Sequence, residues 1–210
     1  MMEEMFLLCL DINRSKIRTE ALGKNRFYCD EQFERDYEID LEQVEDVREI
    51  FYLICEELEN SNIVQFQVEG FGEVPWPVDV STDLLTVLEQ LSDLLKFLDD
   101  PESKTSNLDF YEQGIQRRIK FRKLGDTIEL NCKPFPDINS SGSKPSDPWG
   151  QDIEEEPIEK KLLKTMICQI LESFVSIANE ICPNLTSHKC FQEWCGDQYI
   201  ASCLKRSTSG

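Results

Sequence analysis

The chain is poor in the residues that most enzymes and nucleic-acid binders rely on. Its 210 residues include one histidine, His188, and 22 Lys plus Arg against 41 Asp plus Glu. A lone histidine excludes multi-histidine metal sites and leaves His188 as the one possible base for a His-based triad. A formal net charge of −19 opposes binding to a phosphate backbone, which requires the opposite sign. No run approaches the ~18 consecutive apolar residues of a membrane-spanning helix. The N-terminal stretch Met5–Leu10 is apolar but short, and acidic residues precede it rather than a positive segment. These features predict a cytoplasmic protein with no membrane and no nucleic-acid partner. Nine cysteines are present, yet none forms a Cys-x-x-Cys pair. An odd count without close pairing predicts reduced thiols, with Cys9, Cys55, Cys132 and Cys168 acting as small hydrophobes.

What remains is a chain with a near-normal apolar fraction of 40% and 30% charged residues, enough for a globular core. Residues 5–12 read as a buried strand. Phe27-Tyr28-Cys29 and the stretch from Glu34 to Leu41 are further strand candidates. Asp40 followed by Gln43 resembles a capping box, and Val44, Val47, Phe51, Ile54 and Leu58 then recur at helical spacing, predicting a helix over 41–59. Residues 63–68 alternate as a strand does. Ser81 is placed to cap a Leu-rich helix over 81–100.

Two antiparallel hairpins are predicted between about 107 and 133. With Gly125-Asp126 as a two-residue loop, Phe121 faces Leu130, Ile119 faces Cys132 and Arg122 faces Glu129. With Gln113-Gly114 as the loop of the first hairpin, Leu108 faces Ile119 and Asp109 faces Arg118. That register also places Arg117 on the apolar face beside Phe110.

Residues 134–152 turn to Pro, Ser, Gly and Asp, a linker or surface loop. A long amphipathic helix over 153–183 follows, opened near Pro157 in an acidic first turn and ended by Pro183. The last segment, 184–210, carries four of the hydrophobic-to-polar tail's chemically notable residues, His188, Cys190, Cys195 and Cys203, with a short helix around Phe191, Trp194 and Tyr199. The expected architecture is α+β: a domain over 1–133 whose antiparallel sheet ends in a three-stranded meander packed against two amphipathic helices, plus the long C-terminal helix.

Motifs that carry chemistry are sparse. Gly70-Phe71-Gly72 is only a fragment of a phosphate loop, lacking a third glycine and a following Lys-Ser/Thr. The four tail ligands are spaced too unevenly for a structural zinc knuckle. Nucleophilic catalysis needs a base beside the nucleophile, and one histidine gives little support for it. No cofactor is expected.

The distribution of charge is the stronger signal. Residues 30–60 hold thirteen acids and two bases, a local net of −11. On the 41–59 helix the apolar stripe leaves Glu42, Glu45, Asp46 and Glu49 on the outer side, where like charges three or four apart repel by a few tenths of a kcal/mol per pair. A cationic partner offsets that cost, so these four are the candidate partner-binding residues, with Trp76, held between Pro75 and Pro77, as a further anchor. A merely solvated acidic face is the plain alternative. The bases Arg118 and Arg122 are expected to be neutralised within the meander by Asp109 and Glu129.

The run Trp76-Pro77-Val78-Asp79-Val80-Ser81-Thr82-Asp83-Leu84-Leu85, the Leu-rich helix after it, and Leu108–Gly114 with its hairpin resemble parts of small acidic α+β immunity proteins, which are encoded beside bacterial polymorphic or contact-dependent inhibition toxins. The resemblance spans about residues 60–135. It implies a non-enzymatic cytoplasmic inhibitor that covers one cognate basic toxin domain, such as a nuclease, and it assigns no residue a role. A carboxylate-metal or cysteine-dependent enzyme, and a self-assembling scaffold, are the alternatives.

Overall fold

Alternating burial along the first apolar run sets the start of the fold. In a computed structural model, which describes residues 5–15, 41–73, 75–111, 115–135 and 154–205, Leu7–Ile12 forms strand β1 with Leu8 and Leu10 turned inward. It pairs antiparallel with β2, Val64–Glu69, so that Leu8 faces Val68 and Leu10 faces Phe66. The strand candidates at 27–29 and 34–40 lie outside the described residues.

Between these strands runs helix α1, Val47–Ser61. A 3-10 turn over Leu41–Gln43 precedes it. The N-cap of α1 is Asp46, whose carboxylate accepts from the Arg48 N–H at 2.9 Å, and the capping-box candidate Asp40 lies outside the described residues. α1 ends at Asn62, which adopts the left-handed region at φ 54°.

β2 closes on the Gly70-Phe71-Gly72 turn. All three residues have positive φ. A Cβ on Gly70 would stand 3.0 Å from the Phe6 backbone, so only glycine fits. The turn drives Phe71 into the core and directs its N–H onto the Glu156 carboxylate. The phosphate-loop fragment is thus a structural turn whose backbone receives a carboxylate of the same chain.

Helix α2, Leu85–Asp99, is preceded by a π-helical turn over Val80–Leu84. Here too the cap differs from expectation: Asp79, not Ser81, accepts from the N–H groups of Thr82 and Asp83. Ser81 instead donates its N–H to Glu59 of α1 at 2.6 Å. α2 packs along β3, Thr105–Phe110. Gln90 covers the open edge of β3 by donating to the Asp109 carbonyl at 2.9 Å and accepting from the Asp109 N–H at 2.8 Å. An edge strand satisfied in this way offers less of a template for unwanted pairing.

β3, β4 (Arg117–Leu124) and β5 (Thr127–Pro134) form the meander in the expected register. Phe121 faces Leu130, Ile119 faces Cys132, Arg122 faces Glu129, Leu108 faces Ile119 and Asp109 faces Arg118. Arg117 lies opposite Phe110 and is 1% exposed, as that register demands.

The sheet has a fourth strand that the sequence reading missed. Glu155–Glu159, taken as the first turn of the long helix, is β6, paired with β5 at the edge. Glu156 and Ile158 point inward while Glu155, Pro157 and Glu159 point out. Proline is tolerated because an edge strand has no neighbour to receive its missing N–H.

Helix α3, Lys160–Ile181, follows at once. It packs on β1, α2 and β6. One hydrophobic cluster runs from Phe6 to Cys203, so α3 lies within the core of the preceding elements. Pro183 then opens α4, Pro183–Thr186, followed by α5, Lys189–Cys195, and α6, Gln198–Leu204. Phe51 of α1 meets the aromatic group of this region, with ring centroids 5.7 Å from Phe174 and 4.8 Å from Trp194. Cys168 of α3 and Cys203 of α6 form a disulfide. This corrects the expectation of nine reduced thiols. The two residues are 35 apart in sequence, so their proximity is a product of tertiary packing and leaves no local pattern.

Candidate functional site

The outer face of α1 follows from its buried face. Ile50, Phe51, Leu53, Ile54, Cys55 and Leu58 point inward. With 3.6 residues per turn, the opposite side then carries Arg48, Glu49, Tyr52, Glu56 and Glu59. Tyr52 sits at the middle of this side, 40% exposed among carboxylates. Its hydroxyl donates to Glu56 at 2.7 Å, and that bond holds the phenol above its ordinary pKa.

The candidate acids take different roles. Glu45, which stands before the N-cap rather than on the helix as expected, and Glu49 are exposed, and neither has an ionic partner among the described residues. Asp46 is committed as the cap of α1. Glu42 lies in the 3-10 turn before the helix. Glu59 ties α1 to the π-helical turn through Ser81. The one base of α1, Arg48, reaches Glu89 of α2 at 3.3 Å. Burial raises the Glu89 pKa and Arg48 acts against that rise.

A groove of about 310 Å³ lies between α1 and the start of α2. Arg48, Glu49 and Tyr52 form one wall. Ser81, Thr82, Leu85 and Thr86 form the other, with Leu85 and Thr86 buried at its base. π-helical turns recur at functional sites, and here one supplies a wall of the groove.

Trp76 does not join this surface. It is 2% exposed, and its indole N–H donates to the Gly70 carbonyl at 3.1 Å. Its ring lies 5.3 Å from Phe110 and 6.1 Å from Phe71. The two flanking prolines set the chain so that the indole fills the core, which removes it as a surface anchor. Sequence reasoning in turn overlooked Tyr52. The available signal was its position: an aromatic lying off the apolar stripe of an acidic helix.

The bases of the meander are held internally where expected. Arg118 donates to both oxygens of Asp109 at 2.6 and 2.7 Å, and Arg122 donates to Glu129 at 2.6 and 2.9 Å. Burial pushes the Asp109 carboxyl up, but Arg118 and the Tyr111 hydroxyl outweigh it and leave the group below the usual carboxylate range.

The tail ligands are spread over separate tasks. His188 caps α5, with Nδ1 accepting from the Cys190 N–H at 3.3 Å and Nε2 3.1 Å from the Leu41 carbonyl. That geometry places the proton on Nε2. Cys203 is in the disulfide. Burial pushes the Cys195 thiol up to about 11. It also raises Cys55 and, with help from Asp11 and Glu69, Cys9. Such thiols carry little thiolate at neutral pH. Among the described residues no group of three or more His, Cys, Asp or Glu could hold a metal ion, and no helix is long and apolar enough to cross a membrane.

No family model matches the chain, and neither a curated protein nor a solved structure matches it.

Proposed function

We propose that this chain is a non-enzymatic binding protein of the immunity type, which neutralises a cognate basic toxin domain, for example a nuclease, by covering it. The outer face of α1 is the docking surface. One observation carries the reading: Glu45 and Glu49 are exposed without an ionic partner among the described residues, while Arg48 beside them is paired with Glu89. An uncompensated anionic face accelerates encounter with a cationic partner and suppresses wrong ones. The cytoplasm is the compartment in which such an inhibitor protects its own cell.

The test is co-expression with a toxin-like product encoded beside this chain. The wild type restores growth and co-purifies with the toxin domain, and Glu45→Lys with Glu49→Lys weakens both. A toxin that stays fully active in the presence of folded wild-type chain contradicts the reading.

A further inference from the structure

The groove beside Tyr52 has a chemistry more specific than an acidic patch. At its base lie Leu85, which is apolar, and Thr86, whose hydroxyl is committed to the Thr82 carbonyl at 2.9 Å. One wall is an exposed phenol ring, and a carboxylate, Glu49, stands three residues before it on the same helix. Residues at that spacing are neighbours on a helix surface. The hydrogen bond from its hydroxyl to Glu56 at 2.7 Å favours one position of the ring. A side chain fixed before binding loses less entropy on binding.

These elements match one kind of occupant. A guanidinium is planar and weakly hydrated, so it stacks on an aromatic face over apolar surface and forks to a carboxylate. A lysine ammonium keeps its water more strongly and gains less from such a floor. The volume of about 310 Å³ sits at the small end for binding pockets, suited to one side chain rather than a cofactor. The cation already on the wall, Arg48, is drawn toward Glu89, which lessens its repulsion of a second positive group. Charge complementarity follows from Glu49 in the wall, with the exposed Glu45 four residues before it along the chain and Glu56 at the Tyr52 hydroxyl, against that single base.

We infer that the groove between α1 and the π-helical turn receives an arginine side chain of the basic partner, stacked on Tyr52 and paired with Glu49. This inference rests on the docking reading above and specifies its anchor.

The experiment titrates full-length protein with three blocked tripeptides, Gly-Arg-Gly, Gly-Lys-Gly and Gly-citrulline-Gly, and in parallel with hexa-arginine, following backbone and Tyr52 ring resonances. The arginine tripeptide is expected to give saturable shifts confined to the groove. The lysine peptide binds more weakly, and the neutral citrulline peptide gives no saturable shift. Tyr52→Ala and Glu49→Gln each weaken arginine binding by roughly five-fold, the scale of an exposed cation–π or ion-pair contact, and Tyr52→Phe retains most of it. Both positions are on the surface, so the variants fold, and a thermal melt checks this. If hexa-arginine binds and responds to Glu45→Lys with Glu49→Lys, but the arginine tripeptide is no better than the lysine one or ignores Tyr52→Ala, the groove inference is overturned and the acidic docking face stands. If neither hexa-arginine nor the tripeptides bind, both are overturned.

Discussion

Arg48 of α1 points its Nε at Glu89 of α2, 3.3 Å away. The only base on the outer side of the helix is thereby turned toward a neighbour, and Glu45 and Glu49 beside it are left exposed with no ionic partner among the described residues. The prediction concerns what Arg48 does for binding rather than for folding. Arg48→Gln removes a solvent-exposed pair, worth about 0–1 kcal/mol, so its urea midpoint moves little. Association with a cationic partner becomes faster at low salt. Slower association in this variant would mean that Arg48 is itself a contact.

The acids of this face divide into structural and free. Asp46→Ala removes the cap of α1 and lowers stability by about 1 kcal/mol. Glu45→Ala and Glu49→Ala change it by no more than about 0.5 kcal/mol in either direction. Urea denaturation of the three variants distinguishes them. The pattern fails if the Glu49 variant loses as much as the Asp46 variant.

Trp76 serves the core. Trp76→Ala leaves a void between Phe71 and Phe110 and removes one of the two hydrogen bonds to the Gly70 carbonyl, which still accepts from the Glu73 N–H, costing about 3–5 kcal/mol. Trp76→Phe keeps part of the packing and costs less. Binding by whatever fraction remains folded is unaffected, because the indole does not reach the surface.

The Asp109–Arg118 pair makes stability sensitive to acid. Asp109 is held below its ordinary pKa in the folded state. The stability it contributes is therefore present above the unfolded value of about 3.9 and is lost as pH falls through the lower folded value. Asp109→Asn is expected to be less stable than wild type at pH 7 by about 1–2 kcal/mol. The gap narrows as the pH is taken below about 3.9. Chemical denaturation across that range checks it, and a gap that widens on acidification contradicts it.

Much of this architecture was legible because two patterns agreed. In the meander, apolar pairs such as Phe121 with Leu130 and charge pairs such as Arg122 with Glu129 select one register together, and a one-residue slip violates both at once. β6 was hidden by its own composition. It has only two inward side chains, one of them Glu156, and a proline among acids is also how helices begin. Helix starts were misplaced for a related reason: Asp46 and Asp79 cap through geometry that Asp40 and Ser81 matched equally well by type. Of the candidate site, the acidic side of α1 was readable as helical periodicity. The groove was not, because its second wall comes from residues 81–86, and only packing brings them to α1. Nor was the disulfide, which joins residues of two different helices.

The central claim is that the outer face of α1 captures a cationic protein by electrostatic attraction. Its most direct test is the association rate of the Glu45→Lys, Glu49→Lys variant with the proposed cationic partner, measured by stopped flow across a series of salt concentrations. The predicted result is an association rate lower by about ten-fold or more at low salt, with the wild-type rate falling toward the variant's as salt screens the charges. An association rate equal to wild type at every salt concentration would contradict the account.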